Sequence, residues 1–158
     1  MSVLAAIRPD DWNLALFTHV LGAFLLIGAL LTSMLVLYAG WGSKTASDSL
    51  AYARLAFKSL LYVALPAWII MRVGAGWIYE KEFGDVDSDP TWVGIGFIAA
   101  EPGALLLLIA IVLGGLSARK LRKDGGTMGT MGKITTVLAT ILFVAYIIAV
   151  WAMGAKPT

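Results

Sequence analysis

This 158-residue sequence has no cysteine, one histidine and few charges, which make up 14% of its residues. Without cysteine there are no disulfides, thiolate nucleophiles, iron–sulfur clusters or Cys-based zinc sites. With His19 as the only imidazole, a Ser-His-Asp triad would have to use it, and no multi-histidine metal site can form within one chain. A soluble domain carries about 25% charged residues. The shortage of charge therefore excludes an ordinary cytosolic enzyme, a disordered chain and a coiled coil. What is present is apolar: 59% hydrophobic residues, with 17 Gly and 6 Trp. Mean hydropathy is +0.85.

Four segments are long and apolar enough to cross a bilayer, which takes roughly 20 residues each. They run over about 14–38, 55–79, 92–116 and 134–153. The expected fold is all-α: a polytopic, antiparallel bundle of four transmembrane helices in a single membrane domain, 1–158. The opening residues up to Asn13 do not read as a signal peptide, and Pro9-Asp10-Asp11 reads as a turn with a helix N-cap. Trp12, Trp41, Tyr79, Trp92 and Trp151 stand near segment ends, where amphipathic rings sit among headgroups. Ser47 or Asp48 is expected to cap a second helix that runs on to Tyr79 and projects beyond the hydrocarbon.

The few charges are sorted by side. Lys44, Arg54, Lys58, Arg119, Lys120, Arg122, Lys123 and Lys133 fall at the end of the two loops 39–54 and 117–133. Asp10, Asp11, Glu80, Glu82, Asp85, Asp87 and Asp89 fall at the other end. Lys/Arg bias orients short loops toward the cytoplasm. The reading is a bacterial-type cytoplasmic (inner) membrane protein with both termini outside. The pI of 9.0 invites a nucleic-acid reading, but a net charge of +2 distributed around spans fits orientation better, so no nucleic-acid partner is expected.

Two Gly-rich motifs are set aside. Residues 125–132, GGTMGTMG, lack the first Gly of a phosphate-binding loop, and Ile134 follows Lys133 where Ser or Thr should stand, so a flexible linker is expected. Gly94 to Ala99 matches a dinucleotide fingerprint by letters but lies inside a span with no strand before it.

Inside the spans His19, Arg72 and Glu101 stand out, because ionisable groups in hydrocarbon are costly and mark pairs or functional sites. Counted at helical rise, they lie about 8, 10 and 14 Å from the ends of their spans nearest the termini. Tyr146 reaches the same level from the fourth span. A buried polar cluster of Arg72, Glu101, Tyr146 and Trp68 is expected, with Arg72 paired to Glu101 and Trp68 offering its ring to the guanidinium. His19 shares a face with Gly22, Ala23, Leu26, Leu30 and Ser33, and Glu101 one with Phe97, Leu105, Leu108 and Val112. Gly96, Ala100 and Ala104 form a small-residue stripe. Pro66 and Pro102 are expected helix kinks.

The run Leu16-Phe17-Thr18-His19-Val20-Leu21-Gly22-Ala23 resembles the opening helix of small four-helix bacterial integral membrane proteins of unknown function. The run Leu65-Pro66-Ala67-Trp68, followed by Met71-Arg72-Val73-Gly74, is similar to a proline-then-glycine helix of the same group. There is weaker similarity to the copper-resistance CopD-like group and to HemJ-like protoporphyrinogen oxidases. The resemblance implies a four-helix bundle with His19 as the candidate haem or metal residue.

Three functions compete. A structural, accessory or interaction subunit would use the small-residue faces, with the lipid bilayer and a homodimer or membrane-complex partner around it. A haem- or metal-binding protein would use His19, with Met71 and Met153 as further soft donors. A small transporter or channel would use Arg72, Glu101 and the two prolines. No catalytic residue is assigned.

Overall fold

The computed structural model describes residues 13–83 and 91–156. The expected turn at Pro9 to Asp11, Trp12, and the acids Asp85, Asp87 and Asp89 lie outside the described residues. Among the described residues the chain is helical, without strands: α1 Asn13–Gly42, α2 Ala46–Ser59, α3 Leu65–Phe83, α4 Thr91–Asp124 and α5 Thr130–Ala155. A π-helical turn, Leu60–Ala64, joins α2 and α3 into one continuous path. Four spans therefore pass through the bundle. The α1–α2 and α4–α5 loops mark its loop end, and Asn13 and Ala155 mark its terminal end.

Each helix runs past the span expected for it. At 1.5 Å per residue, the 34 residues of α4 reach about 51 Å, well beyond a 30 Å hydrocarbon core. The extension carries Arg119, Lys120, Arg122 and Lys123, good helix formers that continue the helix once it leaves the apolar layer. The cap of α2 is Thr45, whose hydroxyl accepts from the Asp48 N–H at 3.3 Å, so Ser47 and Asp48 do not cap it but fill its first turn. The expected linker at residues 125–132 is only half a linker. Gly125 and Gly126 take φ of 69° and 85° and stop α4, whereas α5 begins at Thr130 and takes Gly132 into the helix against Met128 and Ser117.

Apart from α2 the helices are apolar on most sides, and small residues are concentrated on the inner faces. Ala29, Ala53, Ala56, Ala64, Ala67, Ala110 and Ala139 are buried between helices. Phe17, Phe24, Ile98, Leu105, Val112 and Trp151 face outward. Small residues bring backbones close where lipid gives no hydrophobic drive to association. So much exposed apolar surface requires lipid around it. The protein is a small integral membrane protein.

Six hydroxyls in the spans are satisfied locally. Thr18, Thr32, Ser33, Thr135, Thr136 and Thr140 each donate to the carbonyl four residues earlier. Ser59 donates across to Ala29 O at 3.1 Å and ties α2 to α1.

The helices go round the bundle in the order α1, second span, α4, α5, with α5 closing on α1. The second span changes partners midway. Its α2 half packs on both α1 and α4, whereas its α3 half lies along α1 and barely meets α4. The change falls at the π turn, where the Leu65 N–H reaches back to Leu60 O. Pro66 follows directly, without an N–H and with a ring that crowds the carbonyl four residues back. A widened turn accommodates that ring. A π turn thus stands just before Pro66, where a kink is expected.

Candidate functional site

The divergence of α3 from α4 opens a cavity of about 290 Å³ in the terminal half of the bundle. All four spans line it: His19 and Ala23 from α1, Met71 and Arg72 from α3, Phe97 and Ala100 from α4, Tyr146 and Met153 from α5. Its walls are almost wholly apolar. Beneath it the core is packed with Leu30, Leu60, Leu107 and Leu142, each no more than 1% exposed.

His19 sits where α1 and α3 touch most closely. A Cβ on Gly22 would meet the Met71 backbone, 2.6 Å from its Cα, and a Cβ on Gly74 would lie 2.7 Å from His19 Cα. Backbone meets backbone, so only glycine fits at either position. That approach brings His19 Nδ1 within 3.0 Å of Met71 O. A carbonyl can only accept, so Nδ1 carries the proton, and of the two neutral tautomers this is the one that leaves the lone pair on Nε2.

Arg72 and Glu101 meet across the gap between α3 and α4. Arg72 donates to Glu101 Oε1 from Nε at 2.9 Å and from Nη2 at 2.6 Å. The pair lies at the rim of the bundle, not in its interior: the side chains are 30% and 57% exposed. The face that Glu101 shares with Leu105, Leu108 and Val112 looks out to lipid. The guanidinium stacks over Phe97, 5.1 Å from the ring centroid, and not over Trp68. Phe97 in turn meets Tyr79 in a T-shaped contact, with ring centroids 5.4 Å apart. Glu101, Arg72, Phe97 and Tyr79 together form a screen along the α3–α4 seam on the lipid side of the cavity.

The rest of the expected cluster is dispersed. Trp68 donates its indole N–H to Ala100 O at 3.2 Å, a second tie between α3 and α4. Tyr146 is buried at the cavity floor with its hydroxyl pressed against Gly103, where a Cβ would lie 2.9 Å from the oxygen. The Trp68 indole lies beside that hydroxyl, but its N–H is committed to Ala100 O, and the hydroxyl has no hydrogen-bond partner among the described residues. Pro102 is exposed within an uninterrupted α4. Of the small-residue stripe, Ala100 is buried and Gly96 lies beside Met153, whereas Ala104 is only half-buried. The structure thus joins Arg72 to Glu101 and sets His19 and Tyr146 on the same cavity, while His19 bonds to backbone and not to the pair.

Phe97 as the cation's partner was readable in principle, since it lies one turn before Glu101 on the same face. The partner of His19 was not, because a backbone carbonyl leaves no mark in a sequence. Met71 and Met153 line the same cavity as His19. Among the described residues no group of three or more His, Cys, Asp or Glu is placed to hold a metal ion. Comparison with family models, curated proteins and solved structures finds no match for this chain.

Proposed function

We propose that the protein binds a small, mostly apolar molecule with a hydrogen-bonding head in the terminal-half cavity, with His19 as its anchor. The observation that carries this reading is the fixed imidazole. A backbone carbonyl holds Nδ1, which leaves Nε2 as the acceptor of a ring that lines an apolar cavity reached by all four spans. Ligand sites are typically apolar clefts with a few placed polar groups, of about 300–1,000 Å³. This cavity is at the small end of that range, which suits an alcohol or phenol on a compact hydrocarbon body. In this reading the bundle lies in a bacterial-type inner membrane with both termini outside, so the cavity opens in the outer leaflet. Because the chain has no cysteine, single cysteines introduced at Ser43 and Ala155 can be tested with an impermeant maleimide. Labelling of Ser43→Cys in intact cells, with Ala155→Cys protected, would reverse the orientation.

A second reading has one observation behind it. His19, Met71 and Met153 offer an imidazole and two thioethers to one cavity, a donor set suited to haem iron or a cuprous ion. Transport has less support, because the core below the cavity is packed with fully buried leucines. One preparation separates these readings. The protein is purified from native membranes in mild detergent, and its visible spectrum, metal content and solvent-extractable molecules are measured. One small molecule enriched over bulk lipid, lost in His19→Ala and kept in His19→Gln, supports the first reading. A Soret band or stoichiometric copper lost in His19→Ala supports the second. A preparation without either leaves the bundle as a structural or accessory subunit.

A further inference from the structure

At the loop end a second groove, of about 470 Å³, lies between α2 and α4. Arg54 and Lys58 approach it from successive turns of α2, and Arg119 and Arg122 from successive turns of α4. Its floor is Phe57, Gly115 and Ala118. A Cβ on Gly115 would lie 3.0 Å from Phe57 Cε2, so the ring rests directly against the α4 backbone.

Charge bias alone would scatter basic residues around this end. Lys120 and Lys123 show that alternative, since they share the last turns of α4 but do not line the groove. The four that do line it are exposed, and none forms an ion pair among the described residues. The nearby acids Asp48 and Asp124 are not among the groove's lining residues. Four unpaired cations over an apolar floor, next to the lipid-facing Leu55 and Leu116, match a ligand with an anionic head and a hydrocarbon tail. Basic pockets between spanning helices recognise phospholipid heads in this way.

We propose that this groove is a specific site for an anionic phospholipid, with its phosphate held by Arg54, Lys58, Arg119 and Arg122 and its proximal acyl chain laid on Phe57 and Gly115. The phosphate sits among forked guanidinium donors, and the chain leaves the groove over the lipid-facing surface. A free phosphate would use the same cations but not the floor.

Native mass spectrometry of the detergent-solubilised protein, titrated with phosphatidylglycerol or phosphatidylcholine, tests this. The expected result is at least tenfold tighter binding of phosphatidylglycerol. Binding should fall roughly tenfold or more in R119Q/R122Q and in R54Q/K58Q, and stay within about twofold in K120Q/K123Q. The two α4 variants remove equal charge from the same turns, one pair from the groove and the other from outside it. All of these side chains are exposed, and lipid-free melting curves check that each variant folds. Equal losses in the two α4 variants would reduce the effect to diffuse attraction and overturn the proposal. So would equal affinity for the two lipids, or displacement of phosphatidylglycerol by low-millimolar inorganic phosphate.

Discussion

Alanine at Gly74 is expected to push α1 and α3 apart. Its Cβ would lie 2.7 Å from His19 Cα and 2.9 Å from His19 Cβ. Carbon atoms pack at about 3.5–4.0 Å, so the helices must separate by roughly 1 Å, and neither backbone can turn aside as a side chain can. The same movement takes His19 Nδ1 from 3.0 Å to about 4 Å from Met71 O, beyond hydrogen-bonding range. Overpacking costs about 1–3 kcal/mol and the lost hydrogen bond about 0.5–1.5 kcal/mol. Replacing a mid-helix glycine returns about 0.5–1 kcal/mol. The net is a loss of about 1–3 kcal/mol, or roughly 3–10 °C in detergent melting for a chain of this size. Gly22→Ala acts on the same contact from the other side and should cost a similar amount, with the double variant less than additive. Gly28 and Gly76 provide the control, because a Cβ at either meets nothing within 4 Å. Alanine there should leave Tm unchanged or raise it by a few degrees. As the only histidine, His19 gives a single set of imidazole nitrogen resonances, and Gly74→Ala should shift the Nδ1 signal while Gly76→Ala does not. If Gly74→Ala melts no lower than Gly76→Ala, the close crossing and the tautomer derived from it are both wrong.

Three further outcomes are expected. A double-mutant cycle on Arg72→Met and Glu101→Gln should show about 1.5–3 kcal/mol of coupling, the range for hydrogen bonds to charged groups, because lipid and not water surrounds the rim. Coupling under about 0.5 kcal/mol in detergent unfolding would reject the pair. Tyr146→Phe should stabilise the bundle by about 1 kcal/mol, since it removes a buried hydroxyl without a partner; a fall in Tm would mean that the hydroxyl is satisfied after all. Gly103→Ala should cost less in Tm than Gly74→Ala, because its Cβ would meet the tip of the Tyr146 side chain beside the cavity and not a backbone.

Runs of apolar residues made the four spans legible, and depth counting placed Arg72 and Glu101 at one level. Rotation was harder to read. Helices apolar on most sides carry no stripe to say which face turns inward, so Glu101, Leu105 and Val112 read as a bundle face and are a lipid face. The Gly22–Gly74 crossing depends on two helices meeting, and neither glycine differs locally from Gly28 or Gly76. Pro66 signalled a break in the second span but not the π turn that absorbs it, because the extra residue belongs to the turn before the proline.

That turn has a consequence for registry. A π turn holds one residue more than an α-helical path over the same distance, and one residue is worth about 100° of rotation. The two halves of the second span are therefore set to different headings. The α2 half aims at α1 and α4, and the α3 half is turned so that Met71 O meets His19 and Arg72 reaches over to Glu101. Deleting a single residue between Leu60 and Ala64 would leave every side chain named for the cavity in the sequence and dial those of α3 off their bearings. The cavity is in this sense an angular offset written into one helix, and its most sensitive coordinate is a count of residues.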